Sequence, residues 1–293
     1  MYAATIGFFD GVHAGHRYLI NELKSLAKSH GVSSMVITFS IHPRKVLQSD
    51  FQPRLLNEPD EKIALLKGTG VDRVHVIDFN MEIAKLSAAE FIQKYLAQKM
   101  AVRLLIVGHD HRLGHNREEG FPAYAKYGKE VGMEVVQAGR YSTDLTPHVS
   151  SSEIRHALTH GKVHYAADLL GYRFSFTGFV ISGYQVGRKI GFPTANLIPD
   201  CPDKLIPGIG VYSVQVEYDG KFYKGMLNIG LRPTLKNGDN ISIEVHIINF
   251  DSDIYHQKIR VSFIRKIREE QKFASLDALI QQLHIDKNIV LSE

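Results

Sequence analysis

One cysteine in 293 residues, no long apolar run, no cationic-then-apolar leader and no block of like charge set the first limits on this chain. A single cysteine cannot close an internal disulfide, which excludes a disulfide-stapled secreted scaffold. Cys201 itself lies between Asp200 and Pro202 with no activating partner near it in sequence, so it is expected to be incidental. Without an apolar run or a leader there is no predicted membrane span or secretion signal; the cytoplasm is the expected compartment, and a membrane is not an expected partner. The net charge of +4 is dispersed, which suits small anionic ligands better than a nucleic-acid backbone, so nucleic acid is not expected either. There is no internal repeat or low-complexity tract. What is present is ordinary globular composition, 44% hydrophobic and 23% charged, in a chain long enough for two cores.

The periodicity changes part-way along. Up to about residue 139, strand-like runs at 35–39, 71–79, 102–108 and 133–139 alternate with amphipathic helical patterns, as in a parallel sheet wrapped by helices. Ser87 with Glu90 forms a capping box ahead of Phe91, Ile92, Tyr95 and Leu96, which predicts a helix start. Beyond Gly171, strand patterns at 173–182, 211–218, 221–229, 241–250 and 258–264 are separated by turn signals at Asp219-Gly220 and Asn237-Gly238-Asp239. These predict an antiparallel barrel or sandwich closed by a helix beginning near Ser275, with residues 151–170 as a helical connector.

The opening strand runs into Gly7-Phe8-Phe9-Asp10-Gly11-Val12-His13-Ala14-Gly15-His16, after which Leu19, Ile20, Leu23, Leu26 and Ala27 recur at helical spacing. A helix starting near Gly15 turns its free N–H groups and positive dipole end toward an anion that His13 and His16 reach from the side, an arrangement suited to a nucleoside triphosphate. The blander alternative is a turn whose histidines cap the helix. Ser150-Ser151-Ser152-Glu153-Ile154-Arg155 offers hydroxyls, helix N–H groups and a guanidinium to the β- and γ-phosphates, although Ser150 with Glu153 is equally a capping box. Residues 39–44, with His42 and Arg44, and 108–114, with Asp110, fall at strand ends where a second substrate could bind. His109, His111 and His115 match no standard zinc spacing and have no cysteine beside them, so metal is not expected there.

In the second half, residues 183–196 join a glycine-rich loop to Thr194 and Asn196; its N–H groups can cradle phosphates, but such a loop is also found in plain hairpins. Alternation over residues 241–247 puts Ser242, Glu244 and His246 on one strand face, which periodicity alone reads as a solvated one. The run Arg265, Lys266 and Arg268 has the same bland reading.

Together these segments resemble the nucleotidyltransferases with the His-x-Gly-His signature. End to end, the chain resembles the prokaryotic bifunctional riboflavin kinase/FMN adenylyltransferases, or FAD synthetases. The G-F-F-D-G-V-H-A-G-H opening, H-P-R at 42–44, S-S-S-E-I-R at 150–155 and G-F-P-T-A-N at 191–196 carry the likeness. It implies an α/β plus β fold: a Rossmann-like nucleotidyltransferase domain over 1–155, a helical connector over 156–172, and an antiparallel β-barrel riboflavin kinase domain over 173–293. The first domain would move AMP from ATP to FMN, releasing pyrophosphate. His13, His16 and Arg155 would be catalytic there, Gly7, Phe8, Phe9, Asp10, Gly15, Ser151 and Ser152 would bind ATP, and His42, Arg44 and Asp110 the flavin. The second would phosphorylate riboflavin, with Glu244 as base, Gly183, Arg188, Gly191, Thr194 and Asn196 on ATP, Thr194 and Asn196 also on Mg²⁺, and Arg268 on the flavin. Mg²⁺ is the implied cofactor, ATP the co-substrate, FAD the final product, and a monomer or weak homo-oligomer the expected state. The family's G-x-D-F-x-F-G loop has aromatic residues where this chain has His111 and Leu113, which implies weaker stacking on the isoalloxazine or a ring supplied from elsewhere. A kinase without adenylyltransferase, and a flavin- or nucleotide-binding regulator without turnover, are the alternatives; the complete His13/His16 and Thr194/Asn196/Glu244 sets argue against the second.

Overall fold

Five short runs of β-forming residues assemble into a parallel sheet: β1 (Tyr2–Ile6), β2 (Ser33–Phe39), β3 (Arg73–Ile77), β4 (Val102–Val107) and β5 (Glu134–Gln137), in the order β3-β2-β1-β4-β5. The computed structural model describes residues 1–48, 50, 54–109, 111–115, 118–141, 149–183, 186–231 and 241–293. Asp110, Tyr184, Gln185 and the expected turn at 237–239 lie outside them. Both sheet faces are apolar, as a sheet wrapped on two sides requires. On one face Ala4, Ile6, Met35, Ile37, Leu105 and Val107 pack with Phe91, Ile92, Leu96 and Tyr124. On the other, Ala3, Val36, Leu104 and Ile106 meet Ile20, Leu23, Ala27 and Leu66. The helices supplying those residues are α1 (Ala14–Ser29), α3 (Pro59–Lys67), α5 (Ala88–Glu90), which continues as a π-helical stretch over Phe91–Lys99, and α6 (Phe121–Glu130). The short α2 (Pro43–Leu47) and α4 (Met81–Ala84) follow β2 and β3. The Ser87/Glu90 capping box forms with both of its bonds, Glu90 N–H to Ser87 Oγ at 3.2 Å and Ser87 N–H to Glu90 Oε2 at 3.1 Å. Because the strand order turns back at β1, the crevice between the carboxyl ends of β1 and β4 is where such sheets take their ligands.

The chain divides into two units, Met1–Ser151 and Ser152–Glu293. The second opens with α7 (Ser151–Thr159) and α8 (Val163–Leu170), followed by a closed antiparallel barrel of six strands. Its strands are β6 (Ser175–Ile181), β7 (Ala195–Pro199), β8 (Gly210–Tyr218), β9 (Lys221–Leu231), β10 (Ile241–Ile247) and β11 (Lys258–Arg268), ordered β10-β7-β6-β11-β8-β9. Asp219 (φ 50°) and Gly220 (φ 69°) make the β8–β9 hairpin turn with both central residues left-handed, as that dipeptide predicts. Strand β7 adds to the expected strand set: its five residues end on Pro199 and do not alternate cleanly in burial, so no period-two pattern marks them in the sequence, and pairing with β6 and β10 is what makes them a strand. A four-residue helix, α9 (Val186–Lys189), interrupts the glycine-rich loop, and α10 (Leu276–Leu291), capped by Ser275, packs on β8 and β9. Among the described residues no helix is long and apolar enough to cross a membrane.

Candidate active sites

The loop after β1 is held in an uncommon backbone conformation. Phe9 (φ 55°), Gly11 (φ 87°) and Val12 (φ 37°) are all left-handed, and for a β-branched residue that conformation is strained. It persists because Phe9 and Val12 are buried in the core and Val12 N–H donates to the Phe9 carbonyl at 3.1 Å. The consequence is a chain turned sharply enough to start α1 at once. His13 is the N-cap, its Nδ1 accepting from the His16 N–H at 3.3 Å, so the helix-capping alternative holds for one histidine of the pair. That bond leaves the ring proton of neutral His13 on Nε2, as a donor. The His16 ring stacks on His13 at 3.6 Å between centroids and 17° between planes, and its Nδ1 is buried with no hydrogen-bond partner. Burial, and secondarily His13, hold the His16 imidazole well below the ordinary histidine range, so it is neutral near pH 7. Gly15 is tight as well: a Cβ there would lie 3.3 Å from the His13 ring.

Other residues expected in this site have more specific places. The buried Asp10 carboxylate accepts from the N–H groups of Leu56 (3.0 and 3.1 Å) and Asn57 (3.2 Å), and its main-chain carbonyl accepts from Ser151 Oγ at 2.8 Å. Phe8 meets His42 edge-on at 4.7 Å, and His42 caps α2 by accepting from the Arg44 N–H at 3.2 Å. A Cβ on Gly7 would meet the Phe9 ring at 3.2 Å. Ser152 and Arg155 lie on α7, within the second unit. In the loop after β4, Leu113 is a core residue whose N–H donates to the Tyr124 hydroxyl at 2.8 Å, so its side chain anchors the loop and is not available for stacking. Gly114 (φ 82°) packs against the backbone of Ala88 so closely that a Cβ would lie 2.6 Å from its nitrogen. His109 meets the Arg140 guanidinium at 2.7 Å, and among the described residues no group of three or more His, Cys, Asp or Glu could hold a metal.

In the barrel, register places Asn196 on β7 and Asn228 on β9 opposite Glu244 of β10, one on each side. Thr194 Oγ1 donates to Glu244 Oε2 at 3.4 Å. The loop carrying Thr194 is pinned by its neighbours: Phe192 is buried with Met226, Ile248 and Val290, and His246 Nδ1 contacts the Pro193 carbonyl at 2.8 Å. Burial lowers the His246 pKa, which makes that ring a neutral donor. Gly183 permits close approach of the Asn196 amide, and Gly191 (φ 81°) closes the turn after α9, which carries Arg188. Glu270 arrives from beyond β11, over Gly230, and accepts from Asn228 Nδ2 at 3.4 Å. Arg268 forms an ion pair within the unit, its Nη2 2.9 Å from Oδ2 of Asp286, a fully buried carboxylate on α10.

Comparison with known proteins matches these two halves separately. The FAD synthetase family profile matches residues 1–153 and the riboflavin kinase profile residues 170–292. A bifunctional riboflavin kinase/FMN adenylyltransferase of Pseudomonas fluorescens is 38% identical over 97% of this chain and 90% of its own length. The chain belongs to the bifunctional riboflavin kinase/FMN adenylyltransferase family. The Escherichia coli K12 member is 37% identical over 97% of this chain and 90% of its own. A crystal structure from Streptococcus pneumoniae, titled a macrolide-efflux protein, superposes with a TM-score of 0.88 at 30% identity, covering 99% of this chain and 94% of that one. Near the two clusters, Lys62, Glu270 and Asp286 carry no signal in the sequence, whereas Asn228 opens a run, 228–234, that resembles a loop of the family, and His246 alternates with Glu244. Asp286→Ala is expected to lower the unfolding free energy by about 3 kcal/mol by leaving Arg268 without its buried counter-charge, read as a lower urea midpoint for the second unit.

Proposed function

We propose that the chain makes FAD in two ATP-dependent steps, riboflavin to FMN at the barrel cluster and FMN to FAD at the loop after β1. The observation that supports this most directly is that the centre of each site closes up within one unit: His13 on His16 at the start of α1, and Thr194, just ahead of β7, with Asn196 on β7 and Glu244 on β10.

In adenylyl transfer, an FMN phosphate oxygen attacks the α-phosphorus of ATP and pyrophosphate leaves. That oxygen is already ionised, so positioning and charge stabilisation do the catalysis and no base is required. The helix N-terminus, His13 Nε2–H and His16 are the groups available to the phosphates. Ser151, Ser152 and Arg155 are assigned to the same ATP, and His42, Arg44 and Asp110 to FMN, from the sequence signatures. In the kinase step a neutral ribityl hydroxyl attacks the γ-phosphorus, the bond to the bridging oxygen breaks so that ADP leaves, and the hydroxyl proton goes to a base, which Glu244 supplies. Gly183, Arg188 and Gly191 belong to the loop over the ATP phosphates. Thr194 and Asn196 offer hydroxyl and amide oxygens, the hard donors that Mg²⁺ takes together with phosphate oxygens and water, so the residues fit that ion. When bound, Mg²⁺ neutralises phosphate charge. The cytoplasm is the compartment this chemistry and the lone Cys201 suit.

Incubation with riboflavin, ATP and Mg²⁺, resolved by chromatography, is expected to give FMN first and FAD after it, and supplied FMN is expected to give FAD and pyrophosphate. Absence of both products would overturn the reading.

A further inference from the structure

Neither step above uses Lys62, although it is a charge buried beside the first site. It sits on α3 and is 4% exposed. Its Nζ donates to the carbonyl of Phe39, the last residue of β2, at 2.8 Å, and lies 3.9 Å from the centroid of the Phe8 ring, which carries His42 on its edge. Asp10 completes the arrangement. Its carboxylate holds the Leu56 and Asn57 N–H groups just ahead of α3, and its charge favours the ammonium. The start of α3 is therefore tied to the β1 loop by Asp10, and Lys62 reaches back from it to the ends of both β1 and β2.

An ammonium is a costly way to fill a space. Burial penalises the charge, and a methionine would pack under a phenylalanine ring without that penalty. What only the ammonium provides is simultaneous hold of a carbonyl and an aromatic face, two directional contacts on two substrate loops. Direct binding of a substrate phosphate does not fit, because the group is nearly closed to solvent and one donor is already committed. We propose that Lys62 is a positioning residue for adenylyl transfer, fixing Phe8, and through it His42, relative to the end of β2. This rests on reading the β1 and β2 loops as the ATP and FMN site.

The charged state of Lys62 supplies a readout that simple packing would not. Burial brings its pKa down to about 8 against the opposing pull of Asp10. Titratable groups on the adjoining segments are His42, whose ring meets Phe8; Glu58 and Glu61, joined in the capping box of α3; and Asp78 after β3, which accepts from Ser40 Oγ at 3.0 Å.

The test compares wild type, Lys62→Met and Lys62→Arg in steady-state FMN adenylylation across pH, with riboflavin phosphorylation by the same chain as internal control. Lys62→Met is expected to lose about 10- to 100-fold in kcat/KM for FMN, mostly through KM, with kinase activity and thermal transition near wild type. Wild type is expected to have an alkaline limb centred near 8, absent in Lys62→Met and moved upward in Lys62→Arg, which restores most of the activity. Wild-type kcat/KM with an unchanged pH profile in Lys62→Met would overturn the proposal, as would parallel loss of both activities with the thermal transition. Full adenylylation by His16→Ala would remove the site reading and this proposal with it. Loss in His16→Ala with none in Lys62→Met would remove this proposal alone.

Discussion

Glu244→Gln is expected to slow riboflavin phosphorylation by about 10²- to 10⁴-fold while supplied FMN is still converted to FAD at the wild-type rate. The substitution is chosen because it keeps shape and one acceptor oxygen. Thr194 Oγ1 can still donate to it, and the register of β10 between Asn196 and Asn228 is untouched. What disappears is the ability to take a proton from the attacking hydroxyl. A side chain on the solvated face of a strand would give a change close to nothing. The half-buried setting, with Thr194 at 3.4 Å and asparagines on both flanking strands, argues for the large effect. The measurement is kcat for FMN formation at saturating ATP and riboflavin, with FAD formation from FMN in the same preparation. A kcat within a few-fold of wild type would remove Glu244 as the base, whereas loss of both activities would mean a misfolded chain.

The two sites were legible to different degrees, for a physical reason. The β1 loop is local: strand, glycines, two histidines and helix follow one another in the chain, so their order already dictates that a helix start faces the end of a strand. The Asp219-Gly220 turn and the Ser87/Glu90 box are local in the same way. The rest depends on register and closure. Thr194 and Glu244 are 50 residues apart, Asn228 and Glu270 42, and the Asp10 carboxylate finds its partners 46 and 47 residues on. No periodicity announces such pairs, because a one-residue slip in a strand would part them. For that reason neither β7 nor a role for Lys62 is visible in the sequence. Leu113 illustrates the reverse problem. Its position in the loop suggested a missing aromatic platform, but the structure uses it to fill the core beside Tyr124, a function visible only once α6 is in place.

His16→Ala is expected to stop the reaction sequence at FMN, lowering FAD formation by about 10²- to 10³-fold with riboflavin phosphorylation unchanged. The charge on His16 is held back until it is needed. In the free chain His16 is neutral, because burial and the stacked His13 both disfavour an imidazolium there, and its Nδ1 is left without a partner. A triphosphate brought to the start of α1 reverses the balance, since an anion beside the ring favours its protonated form. His13 cannot share the task equally, because its Nδ1 is occupied in capping α1 and protonating it would cost the cap. The same geometry fixes a second observable. A histidine whose pKa is lower in the folded chain than its ordinary value near 6.5 binds fewer protons folded than unfolded, so the stability it favours is present above 6.5 and is lost as pH falls through the folded value. Urea midpoints of wild type should therefore drop on acidification below that point, and His16→Ala should reduce that dependence for the first unit, where His75 keeps its own share, as His246 does in the second. An adenylylation rate preserved in His16→Ala would place the phosphate elsewhere. A lost rate with an unflattened acid limb would leave His16 as a phosphate ligand but not as the group whose neutrality the fold enforces.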